Sequence, residues 1–376
     1  MALALLLSTA TPTFAYWTGT PGNSAQVPIT KVLRMPVGTT TPEITFEFEI
    51  TPISVDGDPA TTVAPFNVPP VTNKLVPFGA ADTGFLSLGI KTVAKDSANI
   101  FDGIVWPHAG VYKYRIVEKP DVVETLQSYE EVTFSSAEYE IVVYVDNSPQ
   151  GLYIAYAEVW TIPPAPVDPD DSPIIPPHKV GSLLFENTYI KSNTTFVLTK
   201  EVDGLGANQN LDFNFDITIN APNLNPPEPV VMALNTIFYN ADLYDATGTL
   251  VDSLLFESGV TQTVQLKHGW KLEFTDLPVG ATIDINEWAE EGYIPNYILT
   301  LGGGTPTATD NAISNISLAI PTSYITEGVD STAYLNTRDM EIPGGIRVEN
   351  LPYYALIGAV LVSLAGYAVL KTRKEN

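Results

Sequence analysis

The sequence predicts an all-β protein made of two tandem immunoglobulin-like β-sandwiches, and three observations carry that expectation. Short runs rich in Val, Ile, Thr, Tyr and Phe alternate apolar with polar residues along most of the chain, which is the period of half-buried strands. The 376 residues include 31 Pro and 26 Gly, a supply of turn formers suited to many short strands. A pattern also recurs. FEFEIT begins 15 residues after Lys31 and FNFDIT begins 13 residues after Lys200, as duplication of one unit would leave it. The length accommodates two ordinary domains, and helical periodicity is convincing only near the C-terminus.

Residues 1–15, MALALLLSTATPTFA, read as the apolar core of a secretory signal with cleavage after Ala15; a buried first strand is the alternative, and the basic n-region is lacking. Residues 16 to about 26 read as a loose leader. The first sandwich, residues 20–189, starts with the Lys31 strand and continues through ITFEFEITP, VYKYRIVE and YEIVVYVD. The Pro-rich stretch TIPPAPVDPDDSPIIPP then interrupts it before VGSLLFENTY. That stretch competes as an interdomain linker, but the next lysine strand begins only about eight residues after VGSLLFENTY, which favours closure of the first domain there. The second sandwich, residues 190–340, runs through FVLTKEVDG, LDFNFDITI, the turn DLPVG, ATIDINE and STAYLNT. Residues 341–376 contain the uncharged run 351–370, long enough for a transmembrane helix. Lys371, Arg373 and Lys374 follow it and should stay cytoplasmic.

A formal charge of −25 repels phosphate backbones and excludes nucleic acid as a natural partner. With no cysteine, a secreted chain has no disulfides, and covalent bracing must come from other side chains.

Residues of equal parity along a strand share a face. Lys31 shares its face with Val27, Ile29, Leu33 and Met35, and Lys200 with Phe196, Leu198 and Val202, so both lysines point inward. Glu118 ends the row Tyr112, Tyr114, Ile116, and Glu287 ends the row Ile283, Ile285. Each glutamate follows its lysine at the same separation of 87 residues. Asn187 follows Leu183 and Phe185 inward, and Asn336 follows Tyr334.

Desolvation disfavours the charged form of both an amine and a carboxyl group in an apolar core. A neutral lysine is a nucleophile, and an asparagine carboxamide offers it a carbonyl carbon. The glutamic acid can polarise that carbonyl and carry a proton to departing ammonia. Fixed geometry replaces the chance encounter that makes the reaction negligible between free side chains. The product is a Lys–Asn amide within each domain, a single-turnover event and not enzymatic turnover. The alternatives are a buried Lys–Glu ion pair hydrogen-bonded to Asn, and a lysine that snorkels to solvent.

Other constellations carry less. Asp168, Asp170 and Asp171 lack the glycine turn and terminal glutamate of a calcium loop, and His108, His178 and His268 lack metal-ligand spacing. Trp106, Trp160, Trp270 and Trp288 read as core or strand residues. No phosphate-binding glycine loop or nucleophile elbow occurs, and neither a cofactor nor a metal is expected.

The motifs GVYKYRIVEK, LLFENTY, KEVDG followed by DFNFDITI, DLPVG ahead of INE, and YLNTRDMEIPGG occur in an order similar to that of the two-domain backbone pilins of Gram-positive bacteria, with their pilin isopeptide-linkage domains. The chain resembles that family over nearly its whole length. The resemblance implies cross-links from Lys31 to Asn187 assisted by Glu118, and from Lys200 to Asn336 assisted by Glu287. It also implies a cell-wall sorting signal at Glu341, Ile342, Pro343, Gly344 and Gly345, cut by a sortase; Gly344 stands where threonine is usual, and a plain membrane anchor is the alternative. Lys179 in PPHKVGSLLFEN occupies nearly the place of the lysine that accepts the next subunit, and its proline-rich approach predicts an extended, exposed side chain. The implied partners are identical subunits, a sortase, minor pilins and peptidoglycan, with a transient membrane anchor before attachment to the wall. An adhesin or minor pilin that binds a host ligand is the competing function.

Overall fold

The computed structural model describes residues 16–60, 67–163, 176–224, 237–311 and 313–338. Among these, every regular element is a β-strand. The expected signal segment 1–15, the acidic Asp168, Asp170 and Asp171, the sorting residues Glu341 to Gly345 and the apolar run 351–370 lie outside the described residues.

The strands enclose two hydrophobic cores. In the first, an antiparallel sheet runs in spatial order Trp17–Thr18, Gly151–Thr161, Glu138–Ser148, Gly110–Val122 and Ile44–Val55. Its inward row, including Phe46, Phe48, Tyr112, Tyr114 and Ile116, packs with Ile29, Leu33, Met35, Leu183 and Phe185 from the opposite sheet. In the second core, Phe213–Asn220 lies between Gln262–Leu266 and Thr282–Glu287. Along Phe213–Asn220 the side chains alternate between buried and half-buried, as the sequence pattern requires. Phe213, Phe215, Ile217, Ile283 and Ile285 pack there with Phe196, Leu198 and Tyr334.

One strand serves both cores. Leu183–Asp203 runs for 21 residues without a break. The expected division at 189/190 therefore falls inside a continuous strand and not in a connecting loop. Its first part pairs in parallel with Ile29–Pro36, placing Phe185 opposite Lys31. Its later part pairs in parallel with Val329–Thr337, placing Lys200 opposite Tyr334. Asn187 and Asn336 each stand two residues beyond those pairing points, on the same face as the neighbouring lysine.

At the junction between the cores, Thr40 donates from its backbone N to Glu327 Oε1 at 3.1 Å and from its hydroxyl to Oε2 at 2.7 Å, while Lys191 approaches Oε1 at 3.4 Å. Gly280, at φ +78°, lies against Pro36.

Three local expectations are corrected. Residues 16–26 are not a loose leader: Trp17–Thr18 pairs with Gly151–Thr161, and Ala25 and Val27 are buried because they extend the inward row of the Lys31 strand. Trp288 is exposed, since it follows the inward Glu287 and so takes the opposite face. Lys179 is not a free side chain on an extended approach. It opens the short strand Lys179–Val180, pairs with Trp160, and is half-buried.

Candidate cross-link sites

Both predicted triads assemble, each inside its own core. Lys31, Glu118 and Asn187 come from three different strands and are all buried, as are Lys200, Glu287 and Asn336. Lys31 Nζ lies 2.8 Å from Glu118 Oε1, though poorly aligned for a hydrogen bond, and Asn187 Nδ2 donates to that same oxygen at 2.9 Å. In the second triad Lys200 Nζ donates to Glu287 Oε1 at 2.6 Å and Asn336 Nδ2 donates to it at 2.9 Å. One carboxyl oxygen thus stands between the lysine nitrogen and the asparagine amide nitrogen.

The repeated Phe-x-Phe builds the walls. Its first phenylalanine lies under the lysine, with Lys31 Nζ 4.5 Å from the Phe46 ring centroid and Lys200 Nζ 4.2 Å from that of Phe213. Its second is the strand partner of the glutamate: Phe48 pairs with Glu118 and Phe215 with Glu287. The sequence repeat marked duplication, but its structural role required the cross-strand register.

Burial lowers Lys31 to a pKa of about 8 against the opposing attraction of Glu118, and lowers Lys200 to about 8 against Glu287. The same desolvation raises Glu118, opposed by Lys31, Asn187 and the Ser135 backbone N–H, and raises Glu287, opposed by Lys200 and Asn336. The two shifts converge. They bring the neutral amine and neutral acid closer in energy to the ion pair than they are in water.

The carbonyl ends of the two asparagines differ. Asn187 Oδ1 accepts a 2.7 Å hydrogen bond from the backbone N–H of Ser135. Asn336 Oδ1 is buried with no hydrogen-bond partner among the described residues. In neither triad does the glutamate hydrogen-bond to the carbonyl oxygen; it faces the amide nitrogen instead.

Lys179 lies elsewhere, on the outer face of the first sheet. It forms an ion pair with Glu158 and stands 5.6 Å from the Trp160 ring centroid. The hydrogen bond to Glu158 raises its pKa. Burial pushes Glu158 upward, but donors from Lys179, Trp160 and Tyr156 more than offset it and hold the carboxylate low. His268 sits beside Glu201, with 3.1 Å between Nδ1 and Oε2.

Residues 194–318 match a family model described as a domain of unknown function, DUF7601. A pilin of Streptococcus pyogenes serotype M1 is 26% identical over 362 residues, covering 93% of this chain and 91% of that protein. The chain resembles the Gram-positive major pilins. Among solved structures, the S. pyogenes major pilin is similar at 20% identity with a TM-score of 0.37, covering 85% of this chain and all of that one. The T3.2 major pilin of the same species is similar at 17% identity with a TM-score of 0.33, covering 83% and 98%.

Proposed function

We propose that this chain is the structural subunit of a covalent, wall-anchored surface pilus, braced by one Lys–Asn isopeptide bond in each core. The observation that carries the reading is the duplicated buried triad, in which a single glutamate oxygen contacts both lysine and asparagine nitrogens. Such an arrangement is hard to account for as a stabilising ion pair, because each buried charge costs several kcal/mol before attraction offsets it. The similarity to a streptococcal pilin over nearly the full chain supports the same reading.

In this account the neutral lysine attacks the asparagine side-chain carbon. Glutamate relays the proton released by the lysine nitrogen to the asparagine nitrogen, and ammonia leaves. Intact mass tests it. The wild-type protein should be lighter than its sequence by two ammonia molecules, and Glu118→Ala or Glu287→Ala should each restore one. A full sequence mass for wild type removes the reaction.

Polymerisation would use a sortase acting at Glu341 to Gly345 and an acceptor amine on the preceding subunit, for which Lys179 is the candidate, with minor pilins and peptidoglycan as the other partners. The rival reading, a wall-anchored adhesin, needs no such amine. In cells expressing Lys179→Ala, loss of the high-mass ladder on denaturing gels supports the shaft with Lys179 as acceptor, whereas an unchanged ladder removes Lys179 from it.

A further inference from the structure

We propose that the backbone N–H of Ser135 is a catalytic oxyanion donor for the Lys31–Asn187 bond, and that the Lys200–Asn336 bond forms without a counterpart. This deepens the cross-link reading and rests on it. Ser135 N lies 2.7 Å from Asn187 Oδ1, the atom on which negative charge develops when the lysine adds. An N–H fixed there before reaction stabilises the tetrahedral intermediate without reorganising.

The fold explains why one site has this donor. The strand Glu130–Thr133 ends with Thr133 paired to Thr188, the residue after Asn187. The chain then leaves the ladder. Phe134 packs against the first core, 6.2 Å from the Phe46 ring centroid, and Ser135 Oγ accepts from Ala137 N at 3.2 Å. The turn so anchored aims the Ser135 N–H at the Asn187 side chain, where it also favours the Glu118 carboxylate, instead of at a neighbouring strand. In the second core the corresponding strand Ile294–Thr300 continues straight past the site, with Pro295 opposite Asn336. The residue in register with Ser135 is the next one, Asn296, which stays in the ladder opposite Leu335. Asn336 Oδ1 is correspondingly unpartnered among the described residues.

The step balances. The Lys31 Nζ lone pair forms a bond to Asn187 Cγ, and the carbonyl π electrons move to Oδ1, where the Ser135 N–H meets them. Glu118 takes a proton from Nζ and delivers one to Nδ2. The Cγ–Nδ2 bond breaks as the carbonyl re-forms, releasing ammonia and leaving a secondary amide.

The test follows each bond separately in the full chain. Protein recovered unreacted from inclusion bodies is refolded by dilution, quenched in acid at intervals and digested, and both cross-linked peptides are quantified by mass. Ser135→Pro should slow the Lys31–Asn187 bond by ~100-fold or more. The Lys200–Asn336 bond in the same molecules should keep its wild-type rate. Where Ser135→Pro costs the first core its protease resistance, replacing the 134–135 amide by an ester, which removes the N–H while keeping every side chain, decides by the same criterion. A Lys31–Asn187 bond forming at the wild-type rate in a folded variant overturns the proposal. Absence of both bonds from wild type overturns the underlying reading, and the inference with it.

Discussion

In each core a single carboxyl oxygen faces two nitrogens, and in the proposed cross-linking the protons shared among these groups set when they would react. With two protons on the lysine–glutamate pair, the amine is an unreactive ammonium. With one proton, the neutral amine and neutral acid form becomes available, and with none there is no acid to help ammonia leave. Because burial raises both glutamates and lowers both lysines to about 8, the one-proton window is narrower than for free side chains. Bond formation after refolding should therefore accelerate from acid pH, level off, and decline as pH rises past about 8. A rate still climbing through pH 9 in the peptide-mapping time course would contradict this assignment of acid and nucleophile.

At the scale of strands, register does what sequence separation alone cannot. The period-2 reading located all six triad residues, because an inward row that ends in Lys, Glu or Asn remains inward whatever the sheet order. Three features were not legible. The continuity of Leu183–Asp203 through the expected boundary was hidden because both halves read as ordinary alternating strands. The Ser135 donor is a backbone group, and no side-chain pattern announces it. Lys179 looked free because prolines precede it, whereas Glu158, Tyr156 and Trp160, which hold it, lie on the preceding strand Gly151–Thr161, across the proline-rich stretch. The junction gives an independent test of how tightly the elements meet. A Cβ added to Gly280 would stand 2.1 Å from Pro36 Cβ, on a backbone at φ +78°. Gly280→Ala should cost roughly 1–3 kcal/mol from backbone strain, with displaced packing adding to it. A denaturant midpoint equal to wild type would show that the cores do not press together at Pro36.

Across the whole molecule, the central strand carries Asn187 toward one end and Lys200 toward the other. With both bonds formed, tension entering at Lys31 crosses to Asn187, follows about 40 Å of extended chain to Lys200, and crosses again to Asn336. Nearly all of both cores hangs beside that path. Each bond also closes a loop of more than 100 residues; by analogy with a disulfide, it should stabilise its core by roughly 5 kcal/mol through restriction of the unfolded chain. Force spectroscopy separates the mechanical role from the thermodynamic one. Pulled from its ends, wild type should show no step belonging to either core, because the residues that would unravel lie inside closed loops. Glu118→Ala should add one step of roughly 500 Å as residues 31–187 extend, leaving the second core silent. Such a step in the wild-type trace would mean that the load passes through the sheet, and the shaft would then depend on hydrogen bonds in series.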